Sequence, residues 1–111
     1  MPYDELLADR VRDALTARPE VSERQMFGGI GFMVAGKMSV GVIGEELIVR
    51  LDPEDADKAL AEDGVREFDF TGRPMKGWIY VAPDRTGDES ELVGWVEAGA
   101  DYAASLAPDQ S

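Results

Sequence analysis

The sequence predicts an α+β domain: an antiparallel β-meander packed with an N-terminal, a middle and a C-terminal helix. Three observations carry this. Up to Ala17, apolar residues recur at three- and four-residue spacing, the period of a helix. From Met26 to Leu51, the stretch MFGGIGFMVAGKMSVGVIGEELIVRL holds short apolar runs broken by glycine and polar turns, the pattern of successive hairpins. Asp52-Pro53-Glu54-Asp55 and Asp88-Glu89-Ser90-Glu91 then read as helix starts. A more closed barrel with the same hairpins is the alternative architecture.

The elements follow in order. Tyr3, Leu7, Val11, Ala14 and Leu15 share one face of the first helix, and Leu6 widens it. Pro19 stops that helix. Val21 to Phe27 reads as a partly exposed strand, followed by strands over Ile30 to Val34, Lys37 to Ile43 and Glu46 to Leu51. Ala35-Gly36 and Gly44-Glu45 turn between them. Gly31 and Gly41 fall inside strands, where a missing side chain marks a covering helix, a bulge or a bound ligand. Asp52 caps the middle helix, Pro53 fits its first position, and Ala56, Ala59 and Leu60 give it a narrow apolar face, with Gly64 as its stop. Val65 to Phe70 is extended, Thr71 to Gly77 is a loop, Trp78 to Val81 is a strand, and Asp84 to Gly87 is a loop. The last helix buries Leu92, Val96, Gly99 and Ala103, with Ala100, Trp95 and Tyr102 beside them. Gly94 and Gly99 each cost such a helix about 1 kcal/mol relative to alanine, so packing must anchor it. One domain over 1–107 with a flexible tail at 108–111 is expected.

Composition removes several chemistries. The chain has no cysteine and no histidine. That excludes disulfides, Ser-His and Cys-His catalysis and the usual zinc ligands. Carboxylate sites for magnesium or calcium stay open, but no metal and no cofactor is implied. The formal charge is −12, from 23 acidic and 11 basic residues. This opposes a phosphate backbone, so direct nucleic-acid binding ranks below protein contact. The same charge reads as a solubilising surface or as a face for a basic partner. Acidic Asp4 and Glu5, with no apolar leader and no run long enough to span a membrane, point to a cytoplasmic protein.

Phe27-Gly28-Gly29-Ile30-Gly31 matches a phosphate loop poorly, because a strand follows it rather than a helix. Asp52, Glu54, Asp55 and Asp57 suit capping and solvation better than a calcium loop. Arg73 and Lys76 lie in a loop shaped by Gly72, Pro74 and Gly77 and anchored by Phe70 and Trp78. With Arg24 as a helper, they read either as a contact for an acidic surface or phosphate, or as internal ion pairs such as Arg73 with Asp69. Strand edges of the meander, or Trp95 and Tyr102, offer contacts for a homodimer.

Met26-Phe27-Gly28-Gly29-Ile30-Gly31-Phe32, Gly41-Val42, Leu47-Ile48-Val49-Arg50 and Phe70-Thr71-Gly72-Arg73-Pro74-Met75-Lys76-Gly77-Trp78 resemble the N-terminal domain of the TfoX/Sxy family. The resemblance spans roughly Tyr3 to Ala104. It implies a small α+β domain with an antiparallel sheet and makes Phe27, Gly28, Gly29, Gly31, Gly72, Pro74, Gly77 and Trp78 a structural motif. It implies no catalytic residue. Named members regulate bacterial natural competence, in connection with a cyclic-AMP-receptor-protein regulon, and carry a further C-terminal helical domain; this sequence is expected to be the N-terminal domain standing alone. The expected function is a non-enzymatic regulatory or adaptor domain that works through a protein partner, in transcriptional or competence-related regulation. A nucleic-acid-associated module and a small carboxylate-based enzyme are the alternatives.

Overall fold

The computed structural model describes residues 3–26 (Met26 by its backbone alone), 28–69 and 76–106. Helix α1 covers Glu5–Ala14. Asp4 caps it, accepting hydrogen bonds from the N–H groups of Leu6 and Leu7 at 2.9 and 3.2 Å. Leu7, Ala8, Val11 and Leu15 are buried. Leu6 does not widen this stripe as expected; it is 76% exposed. Each residue turns a helix by about 100°, which carries Leu6 off the Leu7–Val11 row.

Strands β1 (Val21–Met26), β2 (Gly29–Val34), β3 (Lys37–Ile43) and β4 (Glu46–Arg50) form the expected meander. Helix α2 (Pro53–Ala59), β5 (Val65–Glu67), β6 (Trp78–Val81), α3 (Pro83–Thr86) and α4 (Glu89–Ser105) complete the chain. All six strands make one antiparallel sheet in the order β1-β2-β3-β4-β6-β5. The sheet is open, with β1 and β5 at its edges, so the barrel alternative falls. The segment expected as a loop from Asp84 contains α3, because Pro83 occupies a first helical turn as well as ending β6.

Alternation sorts the strand residues onto two faces. Phe32, Val42, Leu47, Val49, Ile79 and Val81 are buried in one cluster with residues of α1 and α4. Ile48, Phe68 and Tyr80 form a smaller cluster on the opposite face, with Ile43 and Trp78 against it. Each large side chain so buried contributes about 1.5–3 kcal/mol.

Turn chemistry and close approaches fix the register. Ala35 and Gly36 both have positive φ, 53° and 81°, as a type I′ hairpin requires. A bulge between Phe32 and Met33 shifts the β2–β3 pairing, and the Ser39 hydroxyl donates to the Phe32 carbonyl at 2.7 Å. Gly31 and Gly41 face each other across the strands. A Cβ on Gly41 would meet the Ile30 carbonyl at 2.8 Å and the Met38 methyl at 3.0 Å, so neighbouring strand atoms fill that space rather than a covering helix. The helix makes its own close approach: a Cβ on Gly99 would lie 2.7 Å from the Ser39 carbonyl oxygen. Expectations for Phe27, Phe70, Gly72, Arg73 and Pro74, and for the 108–111 tail, lie outside the described residues.

Candidate partner-contact groove

Two helices with different inward faces leave a gap. Asp52 caps α2 by accepting from the Glu54 N–H at 2.9 Å, and Pro53 fills its first turn. The buried residues of α2 are alanines, Ala56 and Ala59. Such short side chains cannot reach across to α4. Asp88 caps α4 by accepting from the Glu91 N–H at 3.0 Å. Leu92, Val96, Gly99, Ala100 and Ala103 are the buried residues of α4. Beside that row runs a second stripe, Trp95, Ala98 and Tyr102, at i, i+3 and i+7. A groove of about 510 Å³ opens between this stripe and α2. Leu51, Ala59, Trp95, Ala98 and Tyr102 give it apolar surface. Asp52, Asp55, Glu62 and Asp101 give it an acidic rim, and Lys58 is the lining cation.

Arginines brace this arrangement. Arg85 donates to Glu62 and Glu91 at 2.7 and 3.0 Å, with its guanidinium 5.7 Å from the centre of the Trp95 ring. Arg18 donates to Asp101 and Glu97 at 2.5 and 3.0 Å. These bonds raise both pKa values, through Glu62 and then Glu91 for Arg85, and through Asp101 and then Glu97 for Arg18. Both guanidinium groups therefore stay charged. Arg50 lies 5.8 Å from the Tyr102 ring centre and 5.4 Å from that of Trp78. Among the described residues, neither Asp52 nor Asp55 makes an ion pair.

The sequence-predicted cations do not gather here. Arg24 lies exposed on β1, opposite Gly31, while Lys76 lies exposed in the turn entering β6. Four strand spacings, about 19 Å, separate those strands, so the sheet does not bring Arg24 to Lys76. Neither makes an ion pair among the described residues, and Arg73 lies outside them. Lys76 borders a small cleft of about 60 Å³ with Asp57, Glu67 and Trp78. Gly77 has φ of 88°, and its carbonyl accepts from the Leu51 N–H at 2.7 Å, which ties the loop end to the end of β4. Among the described residues, Arg10, Arg12, Arg18, Arg66 and Arg85 make internal ion pairs. Sequence reasoning missed the α2 side of the groove: Asp55, Ala59 and Glu62. The available signal was the alanine face of α2 beside the second stripe of α4.

An open groove with aromatic surface and an acidic rim is suited to holding a partly apolar, cationic surface. Among the described residues, no group of three or more acidic side chains is placed to hold a metal ion, and no helix is long and apolar enough to cross a membrane. No curated protein matches the chain. The model of the TfoX N-terminal domain matches residues 13–103. With the antiparallel sheet, the glycine-bearing hairpins and that match together, the chain belongs to the TfoX N-terminal domain family.

Proposed function

We propose that this chain is a non-enzymatic regulatory or adaptor domain that works in the cytoplasm by contacting another protein. The observation that carries this is its membership of the TfoX N-terminal domain family over residues 13–103. The resemblance to the TfoX/Sxy family, whose named members regulate competence, makes a role in transcriptional regulation the corresponding reading here. The groove between α2 and α4 supports it, since it offers contact area without a histidine or cysteine for catalysis. The loop that holds Arg73 and Lys76 is a second candidate contact, and Lys76 is exposed.

Affinity capture from the native cytoplasm tests the reading. Recovery of one specific protein that co-elutes with the chain at micromolar concentration is the expected result. Recovery of no specific protein, together with turnover of a metabolite by the purified chain, would overturn it.

A further inference from the structure

The groove has two properties that narrow its occupant. Its apolar surface is formed by side chains from separate elements: Leu51 after β4, Ala59 on α2, and Trp95, Ala98 and Tyr102 on α4. Its volume of about 510 Å³ lies in the range that accepts a few apolar side chains. Its lining carries four carboxylates and one lysine, with Arg85, Arg18 and Arg50 beside it. Glu62 and Asp101 are held by Arg85 and Arg18, but Asp55 is exposed and makes no ion pair among the described residues.

Charge then decides among occupants. A phosphate backbone or an anionic lipid surface is opposed by the chain's net charge of −12. A second copy of the chain brings another −12 with it. A basic segment is attracted by the net charge and by Asp55. We infer that the groove between α2 and α4 docks a basic amphipathic segment of a partner protein. An apolar side chain of the segment seats on Trp95, Ala98 and Tyr102, and a flanking lysine or arginine reaches Asp55. The apolar anchor supplies most of the affinity, because exposed ion pairs contribute only about 0.2–1 kcal/mol each. The charges select the partner and speed its arrival. This inference rests on the adaptor reading and names the kind of partner.

The test uses three synthetic helical peptides. One carries leucine at i, i+3 and i+7 with lysine on its flanks, one replaces each lysine by glutamate, and one scrambles the first. Amide shifts are followed by NMR during titration of the full chain and of an Asp55→Lys variant. Thermal unfolding confirms that the variant keeps its fold, and Asp55→Asn stands in if it does not. The lysine peptide is expected to shift amides in 51–62 and 95–102, and Asp55→Lys to weaken it about fivefold or more. The glutamate and scrambled peptides are expected to bind more weakly. Absence of shifts, shifts confined to another surface, equal binding of the scrambled peptide, or an unchanged affinity in the Asp55 variant would each overturn the groove assignment. Those outcomes leave the adaptor reading standing whenever affinity capture still recovers a specific protein. Failure of capture together with turnover of a metabolite, with peptide binding intact, removes the adaptor reading alone.

Discussion

Gly94 and Gly99 share α4, but only one of them touches the sheet. A Cβ at Gly99 would sit 2.7 Å from the Ser39 carbonyl oxygen and 2.8 Å from a Val40 methyl, while one at Gly94 meets nothing within 4 Å. Alanine adds about 1 kcal/mol of helix propensity at either position. At Gly94 that gain stands alone, so Gly94→Ala stabilises the fold by about 0.5–1 kcal/mol. At Gly99, overpacking against backbone costs about 1–3 kcal/mol and outweighs it. Urea unfolding of the two variants should therefore give midpoints displaced in opposite directions, and equal displacement would contradict the packing. The sequence placed Gly99 on the buried face and left Gly94 off it, but the close contact with Ser39 and Val40 is tertiary and did not show. Arg12 and Glu23 give a second prediction at this scale. Arg12 donates to both Glu23 oxygens at 2.5 and 2.9 Å, and these bonds hold the Glu23 carboxyl below its usual range. A depressed carboxyl contributes stability that is present above its unfolded value and lost as pH falls through the folded one. Both side chains are partly exposed, so the contribution is only about 0.2–1 kcal/mol. In an Arg12→Gln variant, the NMR titration midpoint of Glu23 should rise toward the ordinary carboxylate value. An unchanged midpoint would remove Arg12 as the cause.

At the scale of elements, local chemistry was most legible where a segment carries its own start signal. Lys37–Ile43 and Trp78–Val81 form strands with the expected bounds, and Asp52 and Asp88 cap the helices that they were expected to begin. Pro83 misled because one residue ends β6 and begins α3, and the four-residue helix is too short to show a period. The groove was half legible. Trp95 and Tyr102 marked a contact stripe, but its facing wall is α2, whose relevant trait is the smallness of Ala56 and Ala59. The narrow face of α2 read from the sequence does not say which helix it stands opposite. The cap on α4 is open to direct test. Asp88→Ala removes the acceptor for the Glu91 N–H at the start of a 17-residue helix, at a cost of about 1 kcal/mol. The melting temperature should fall by on the order of 5 °C, and Asp88→Asn should restore most of it because asparagine caps nearly as well. No change for alanine would mean that packing alone fixes this end of α4.

For the whole molecule, strand order was the feature least accessible from the sequence. β6 inserts between β4 and β5, so the last hairpin joins the meander through its second strand. Nothing in a local apolar run specifies which neighbour it takes. Net charge, by contrast, reads directly from the chain and predicts a global response. The −12 charge is spread over a body measuring 36 × 28 × 26 Å. The Debye length is about 30 Å at 0.01 M salt and about 10 Å at 0.1 M. In dilute buffer, carboxylates on opposite sides therefore repel one another through most of the molecule, and moderate salt removes that repulsion. Salt also weakens the surface ion pairs of Arg10, Arg12, Arg18, Arg66 and Arg85. Those pairs are in direct contact and worth about 0–1 kcal/mol each, so they lose less than the excess negative charge gains. Raising sodium chloride from about 0.01 M to about 0.3 M at neutral pH should raise the melting temperature, with most of the rise complete by about 0.1 M, where the Debye length is about 10 Å. A melting temperature that falls with salt would mean that the arginine pairs, rather than the excess of carboxylates, dominate the electrostatic stability of the fold.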